Sequence, residues 1–122
     1  MHRAIMERVR RAIEEHLGSG RITCRLTHAY TDGPAPYYTA LARGPPANWA
    51  KVKRVASDTI LEFGGTATHH HAVGKMHADH YRRETSAMNV PVLTAMKTAC
   101  DPRGILNPGV LLEPGFHSSA KL

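Results

Sequence analysis

Several of the features that classify a protein quickly are scarce in this chain. It has two cysteines in 122 residues, Cys24 and Cys100, too few for a disulfide framework. Both stand in apolar-patterned segments, which predicts buried free thiols in a reducing compartment rather than a catalytic thiol. No apolar run nears the roughly 18 residues that would suggest a membrane span. Met1-His2-Arg3-Ala4 opens straight into a charged amphipathic segment, without the pattern of a signal peptide. Aromatic residues make up only 6% of the chain, and they do not alternate with basic ones as a nucleic-acid stacking platform requires. Neither a G-x-G-x-x-G nor a P-loop pattern occurs, so the chain offers no glycine-rich cradle to a pyrophosphate. Repeats and low-complexity linkers are also missing.

Acidic residues are the other shortage. Ten Asp and Glu against 16 Lys and Arg leave a formal charge of +6 and an isoelectric point near 9.8. Such an excess attracts nucleic acid, anionic lipid or a phosphorylated small substrate. Its distribution speaks against nucleic acid. Arg3, Arg8, Arg10 and Arg11 are mixed with Glu7, Glu14 and Glu15, the pattern of a solvated helix face.

What is present reads as an α+β chain. Ile5, Val9, Ile13 and Leu17 recur every four residues and predict a first helix, stopped by Gly18-Ser19-Gly20. Arg21 to Tyr30 and Pro36 to Ala42 read as strands. In the first, Ile22, Cys24 and Leu26 alternate with Thr23, Arg25 and Thr27. Thr31-Asp32-Gly33-Pro34 is a turn between them, which predicts an antiparallel pair. After Gly44-Pro45-Pro46, a helix runs from about Asn48 to Phe63, with Trp49, Val52, Ala56, Ile60 and Phe63 on one stripe. Shorter helices follow over about Met76 to Glu84 and Val90 to Cys100, with Pro91 in the first turn and Asp101-Pro102 as the stop. A lone strand pair is marginal in water, so this antiparallel pair with flanking helices is expected to lean on further polypeptide or on a second copy of itself.

The most unusual stretch is Gly64-Gly65-Thr66-Ala67-Thr68-His69-His70-His71-Ala72-Val73-Gly74-Lys75. Imidazoles exchange protons near neutral pH, so a cluster suits acid/base work. In an extended stretch the first and third would share a face and the second would point away. A solvated surface loop is the plainer alternative. His77 and His80, three apart with His71 nearby, raise a metal site, but no carboxylate or cysteine is spaced to complete a tetrahedron, and no metal is assigned.

Gly64 to Lys75 and the later Lys97 to Leu112, with Asp101-Pro102-Arg103-Gly104-Ile105-Leu106-Asn107-Pro108-Gly109 inside it, resemble the C-terminal signature of FAD-linked oxidases. These flavoproteins share the vanillyl-alcohol oxidase type of fold. Cys24-Arg25-Leu26-Thr27-His28-Ala29-Tyr30, then Asp32-Gly33 and Tyr37-Tyr38, match the family in order and distance. The triple histidine is similar to the motif of alkyl-dihydroxyacetonephosphate synthases, the ether-lipid enzymes. In the related D-2-hydroxyacid dehydrogenases the stretch aligned with His70-His71-Ala72 reads Glu-His-Gly, and that glutamate joins two upstream histidines to hold a divalent metal. Here His70 replaces the glutamate, and Tyr37 stands about where the second upstream histidine would fall.

The resemblance implies a C-terminal fragment of an FAD-linked oxidase, with residues 1–44 ending a substrate or cap domain and residues 45–122 forming a helical segment with the histidine motif. It implies an enzyme in which FAD holds the dihydroxyacetonephosphate portion and is not consumed as a net oxidant. The acyl group of acyl-dihydroxyacetonephosphate leaves, and a fatty alcohol replaces it. Tyr37, His69, His70 and His71 match the family's catalytic positions, and His71 and Asn107 its flavin contacts. The main FAD-binding domain would lie on missing N-terminal material, so this piece alone is expected to be inactive and to hold no tight flavin. Two other readings stand beside this one: an FAD-linked D-2-hydroxyacid dehydrogenase, and a stand-alone histidine-rich module binding metal or nucleic acid. The expected location is the cytoplasm, at a membrane through the lipid substrate. The ending Ala120-Lys121-Leu122 resembles a peroxisomal address and would suit a eukaryotic source.

Overall fold

A computed structural model describes residues 2–31 and 33–112. Asp32 of the predicted turn and the Ala120-Lys121-Leu122 ending lie outside the described residues. The chain divides into two compact units, with the boundary between Thr66 and Ala67.

The first unit contains α1 (His2–Leu17), β1 (Gly20–Tyr30), β2 (Gly33–Ala42) and α2 (Pro46–Glu62). The strands form an antiparallel hairpin in which Ile22 faces Ala40, Cys24 faces Tyr38 and Arg25 faces Tyr37. Proline at the first position of α2 removes a backbone donor that had no partner there. The apolar stripe of α1 forms the core: Ile5, Val9, Ala12 and Ile13 are buried together with Val52 of α2. Ile22, Tyr38, Ala40 and Ala42 of the hairpin pack against this cluster, as do Leu17, Val55, Ala56 and Ile60. So one face of the hairpin lies on α1, and the face bearing Arg25 and Tyr37 is turned away. Close approach fixes the junction. A Cβ on Gly20 would stand 2.6 Å from an Ile13 methyl and 2.7 Å from the Leu41 carbonyl, so only glycine fits. Arg8 and Glu62 join α1 to α2 through a two-pronged ion pair, exposed and therefore a minor contributor.

The second unit contains α3 (Ala78–Glu84) and α4 (Asn89–Cys100). With the hairpin and its flanking helices, the architecture is α+β. Among the described residues no helix is long and apolar enough to cross a membrane.

Several expectations need correction. Leu26 is 62% exposed although it keeps the pleat phase of Ile22 and Cys24, because it lies beyond the part of β1 that the core covers, where Ile22 packs against the cluster. Trp49 and Phe63 mark the ends of the expected α2 stripe but are exposed. The buried residues of α2 are instead Val52, Ser57 and Thr59, and the Thr59 hydroxyl donates to the Val55 carbonyl at 2.7 Å. The thiols are not both buried: Cys24 is half-buried and Cys100 is exposed. The apolar pattern around Cys100 misled because α4 keeps its apolar Val92 and Met96 exposed as well.

Replacing Ile13 with alanine is expected to cost about 3 kcal/mol by loss of burial plus a cavity. Leu26→Ala should stay within about 0.5 kcal/mol. Urea denaturation of the two variants checks this, and equal losses would contradict the assignment of the buried face.

Candidate functional site

Tyr37 stands on the outer face of the hairpin. Its cross-strand neighbour Arg25 places a guanidinium 5.7 Å from the centre of the phenol ring, a cation–π arrangement. The imidazole of His28 lies 6.0 Å from the same ring and stacks on Tyr30 at 6.5 Å. The neighbouring Tyr38 is different in kind. It faces the core, its ring stacks on His2 at 5.8 Å, and its hydroxyl shares a 3.2 Å hydrogen bond with His2 Nδ1. Burial, followed by the nearby Cys24, pushes the Tyr38 phenol up from its ordinary range. Burial raises the Cys24 thiol too, partly offset by a backbone hydrogen bond from Tyr37, so it remains a thiol.

The histidine run lies in the second unit as an exposed loop. The Thr68 hydroxyl donates to the Ala72 carbonyl at 3.0 Å and closes the loop around the three imidazoles. The Ala67 amide donates to the Glu84 carboxylate at 3.0 Å, which ties the loop to the end of α3. Ala72 takes a φ of 61°, a cost a non-glycine residue bears where closure demands it. The stretch is bent rather than extended, which overturns the expectation that His70 points away from its neighbours. Successive rings sit 4.6 Å apart, His69 to His70 and His70 to His71. The Nδ1 atoms of His69 and His70 are 2.9 Å apart, so one must carry the proton while the other accepts it. The two rings are thus joined by one N–H···N hydrogen bond. Among the described residues no three His, Cys, Asp or Glu side chains are placed to hold one metal ion.

The motif Asp101 to Gly109 is organised by a residue that sequence reading treated only as a helix stop. Asp101 is 8% exposed. Its carboxylate accepts from the amides of Ile105 at 3.0 Å and Leu106 at 2.9 Å. The Lys97 ammonium reaches both Asp101 Oδ2 and the Leu106 carbonyl at 2.7 Å. The signal was legible as a Lys and an Asp at i,i+4, followed by amides four and five residues on. This clamp holds Asn107, at a φ of 43°, on an exposed turn beside exposed Ile105 and Leu106.

Sequence reading thus named Tyr37, His69, His70, His71 and Asn107, and it missed Arg25, His28, Lys97 and Asp101. The structure gathers the three imidazoles in one loop of the second unit and places Asn107 on a clamped turn of that unit. Tyr37 belongs to the first. For a flavin these residues fit edge contacts rather than a cradle. Asn107 offers a carboxamide donor and acceptor next to an apolar surface, and His71 an exposed imidazole.

The chain matches the family described as FAD linked oxidases, C-terminal domain, over residues 3–111, and it belongs to that family. Among curated relatives, it is 29% identical to the alkyldihydroxyacetonephosphate synthase of Trypanosoma brucei brucei over 114 residues, covering 90% of this chain and 19% of that protein. It is 28% identical to the synthase of the same name from Dictyostelium discoideum over 95 residues, 75% of this chain and 16% of that protein. Glycolate oxidase subunit GlcD of Bacillus subtilis (strain 168) is 43% identical over 52 residues, covering 43% of this chain and 11% of the relative. The chain therefore spans less than a fifth of the length of the curated relatives it matches. No solved structure matches it.

The Asp101 clamp has a pH signature. Lys97 first, then the Leu106 and Ile105 amides, holds the carboxyl below its ordinary range. A folded-state value below the unfolded one gives stability that is complete above the unfolded value and lost as pH falls through the folded value. Protection of the Ile105 and Leu106 amides from exchange should therefore fall away below about pH 4. In Asp101→Asn it should already be weak at neutral pH and nearly flat with acidification. An unchanged acid profile in that variant would remove the carboxylate from the clamp.

Proposed function

We propose that this chain supplies catalytic and flavin-contacting residues to a flavin-dependent alkyl-dihydroxyacetonephosphate synthase. The enzyme exchanges the acyl group of acyl-dihydroxyacetonephosphate for a fatty alcohol, as in ether-lipid synthesis. The observation that carries this reading is the imidazole run, closed into one loop with successive rings 4.6 Å apart, with His70 where the dehydrogenase pattern has a metal-binding glutamate. The relatives that match most of the chain support it, because they bear the synthase name.

FAD, when bound, would supply the electrophilic ring system that retains the dihydroxyacetonephosphate portion while the acyl group is exchanged. This chain's residues do the rest. Tyr37 receives and returns the proton on the carbon next to the substrate carbonyl. Arg25 favours negative charge developing on the phenol ring. The His69–His70 pair holds one proton for the departing carboxylate, and His71 and Asn107 meet the flavin edge. The main FAD-binding domain is assigned to other polypeptide, N-terminal to this region, since no glycine-rich pyrophosphate loop occurs here. The location proposed is the cytoplasm, at the membrane that holds the lipid substrates.

A second reading, FAD-linked oxidation of a 2-hydroxyacid, is favoured by one observation: the 43% identity to the glycolate oxidase subunit over 52 residues. Assays on the flavoprotein containing this region separate the two. The synthase reading expects acyl-to-alkyl exchange without dye-linked hydroxyacid oxidation. It also expects Tyr37→Phe to lower exchange by about a hundredfold or more with flavin content unchanged. Dye reduction by a hydroxyacid, with no exchange, would establish the second reading instead.

A further inference from the structure

His28 is the one histidine of the first unit that sits at a break in regular strand geometry. Register along the hairpin runs Thr27 to Ala35 and then Ala29 to Pro34, so β1 carries one extra residue, and that residue is His28. Its φ is 50°, a left-handed conformation that histidine tolerates better than most side chains but that still costs energy. Strict alternation would put His28 on the same face as Cys24 and Leu26, toward the helices. The bulge re-aims it. Its ring comes instead to the outer face, between Tyr30 at 6.5 Å and Tyr37 at 6.0 Å. Thr27 Oγ1, 2.7 Å from His28 Nδ1, fixes the ring's orientation. A local distortion that places an imidazole beside a phenol is better explained by a task at that phenol than by packing, because His28 itself is exposed.

We propose that His28 is a positioning residue for Tyr37, exchanging a proton with its hydroxyl directly or through one water. This deepens the synthase reading and rests on it for the substrate. As Tyr37 Oη takes the proton from the carbon beside the substrate carbonyl, the C–H electron pair stays on carbon and delocalises into the carbonyl. Tyr37 simultaneously passes its own proton to a His28 ring nitrogen. The phenol is unchanged in net charge, the imidazole becomes imidazolium, and the proton returns by the same path. The titratable and charged groups facing His28 on this hairpin are Tyr30, Tyr37 and, across the Tyr37 ring, Arg25. Helix α1 packs on the opposite face, and α2 packs on α1.

The test uses the 122-residue chain with tyrosine ring carbons labelled and followed by NMR through a pH titration. The Tyr37 Cζ signal should move with the midpoint of the His28 imidazole, while Tyr38, on the core face, should not follow it. His28→Asn keeps a side chain tolerant of positive φ and should erase that step from Tyr37, with the amide spectrum otherwise preserved. A Tyr37 signal indifferent to His28 in the unmutated chain overturns the proposal without need of any variant. In the flavoprotein, His28→Asn should lower kcat by about a hundredfold and shift the pH profile, with KM and flavin content little changed. A matching loss of flavin, or an unshifted profile, would reduce His28 to a structural role. If the NMR coupling is present but the flavoprotein carries out no acyl-to-alkyl exchange, the relay stands and the synthase reading fails. Exchange left intact by Tyr37→Phe overturns the relay's part in catalysis.

Discussion

A two-stranded hairpin can bury only one of its faces, and in this protein α1 takes it. Ile5, Val9 and Ile13, with Val52 from α2, form a core too small to wrap both sides of β1 and β2. The consequence is a division of labour along each strand. Ile22, Tyr38, Ala40 and Ala42 serve cohesion. Arg25 and Tyr37, one residue out of phase with Cys24 and Tyr38, are committed to the other face by the same pleat. Gly20 makes this possible, because any side chain there would push β1 off Ile13. Two adjacent tyrosines thereby become chemically unlike: one packs half-buried against the core and His2, and the other stands under a guanidinium.

The second unit solves a different problem, that of holding polar functional groups on loops without a sheet beneath them. It does so with side chains that replace missing backbone partners. Thr68 and Glu84 bracket the imidazole loop, and Asp101 with Lys97 plays the same part for the turn carrying Asn107. A carboxylate accepting two backbone amides and an ammonium is a far stiffer support than a solvated turn. Both devices place exposed, hydrogen-bonding side chains at set positions, which is what a site meeting a cofactor requires.

Much of this was legible in the residues. The four-residue recurrence of Ile5, Val9 and Ile13 marked the buried stripe of α1, and the Thr31 to Pro34 turn marked the hairpin. The motifs around His69 to His71 and Asp101 to Gly109 pointed to the family to which the chain belongs. What escaped had physical reasons. Period-two reading assumes an unbroken strand, so an extra residue at His28 hid the imidazole's approach to Tyr37, and alternation alone could not tell that the core ends before Leu26. A three-residue run gives no hint of backbone curvature, so the bend that brings the rings of His69, His70 and His71 together could not be anticipated. Asp101 looked like a helix terminator because its partners lie four and five residues downstream, in a segment without periodicity. Apolar patterning overstated burial at Cys100, Trp49 and Phe63 because each lies at or near a helix end, where one side faces solvent.

The central claim is that the outward face of the hairpin, with Tyr37 at its middle, is a surface that meets substrate. The most direct measurement is a crystal structure of the flavoprotein containing this region, with a dihydroxyacetonephosphate ligand bound. The account predicts the Tyr37 hydroxyl within hydrogen-bonding distance of the ligand, with Arg25 still over the phenol ring. A ligand bound elsewhere, with Tyr37 packed under unrelated polypeptide, would contradict it.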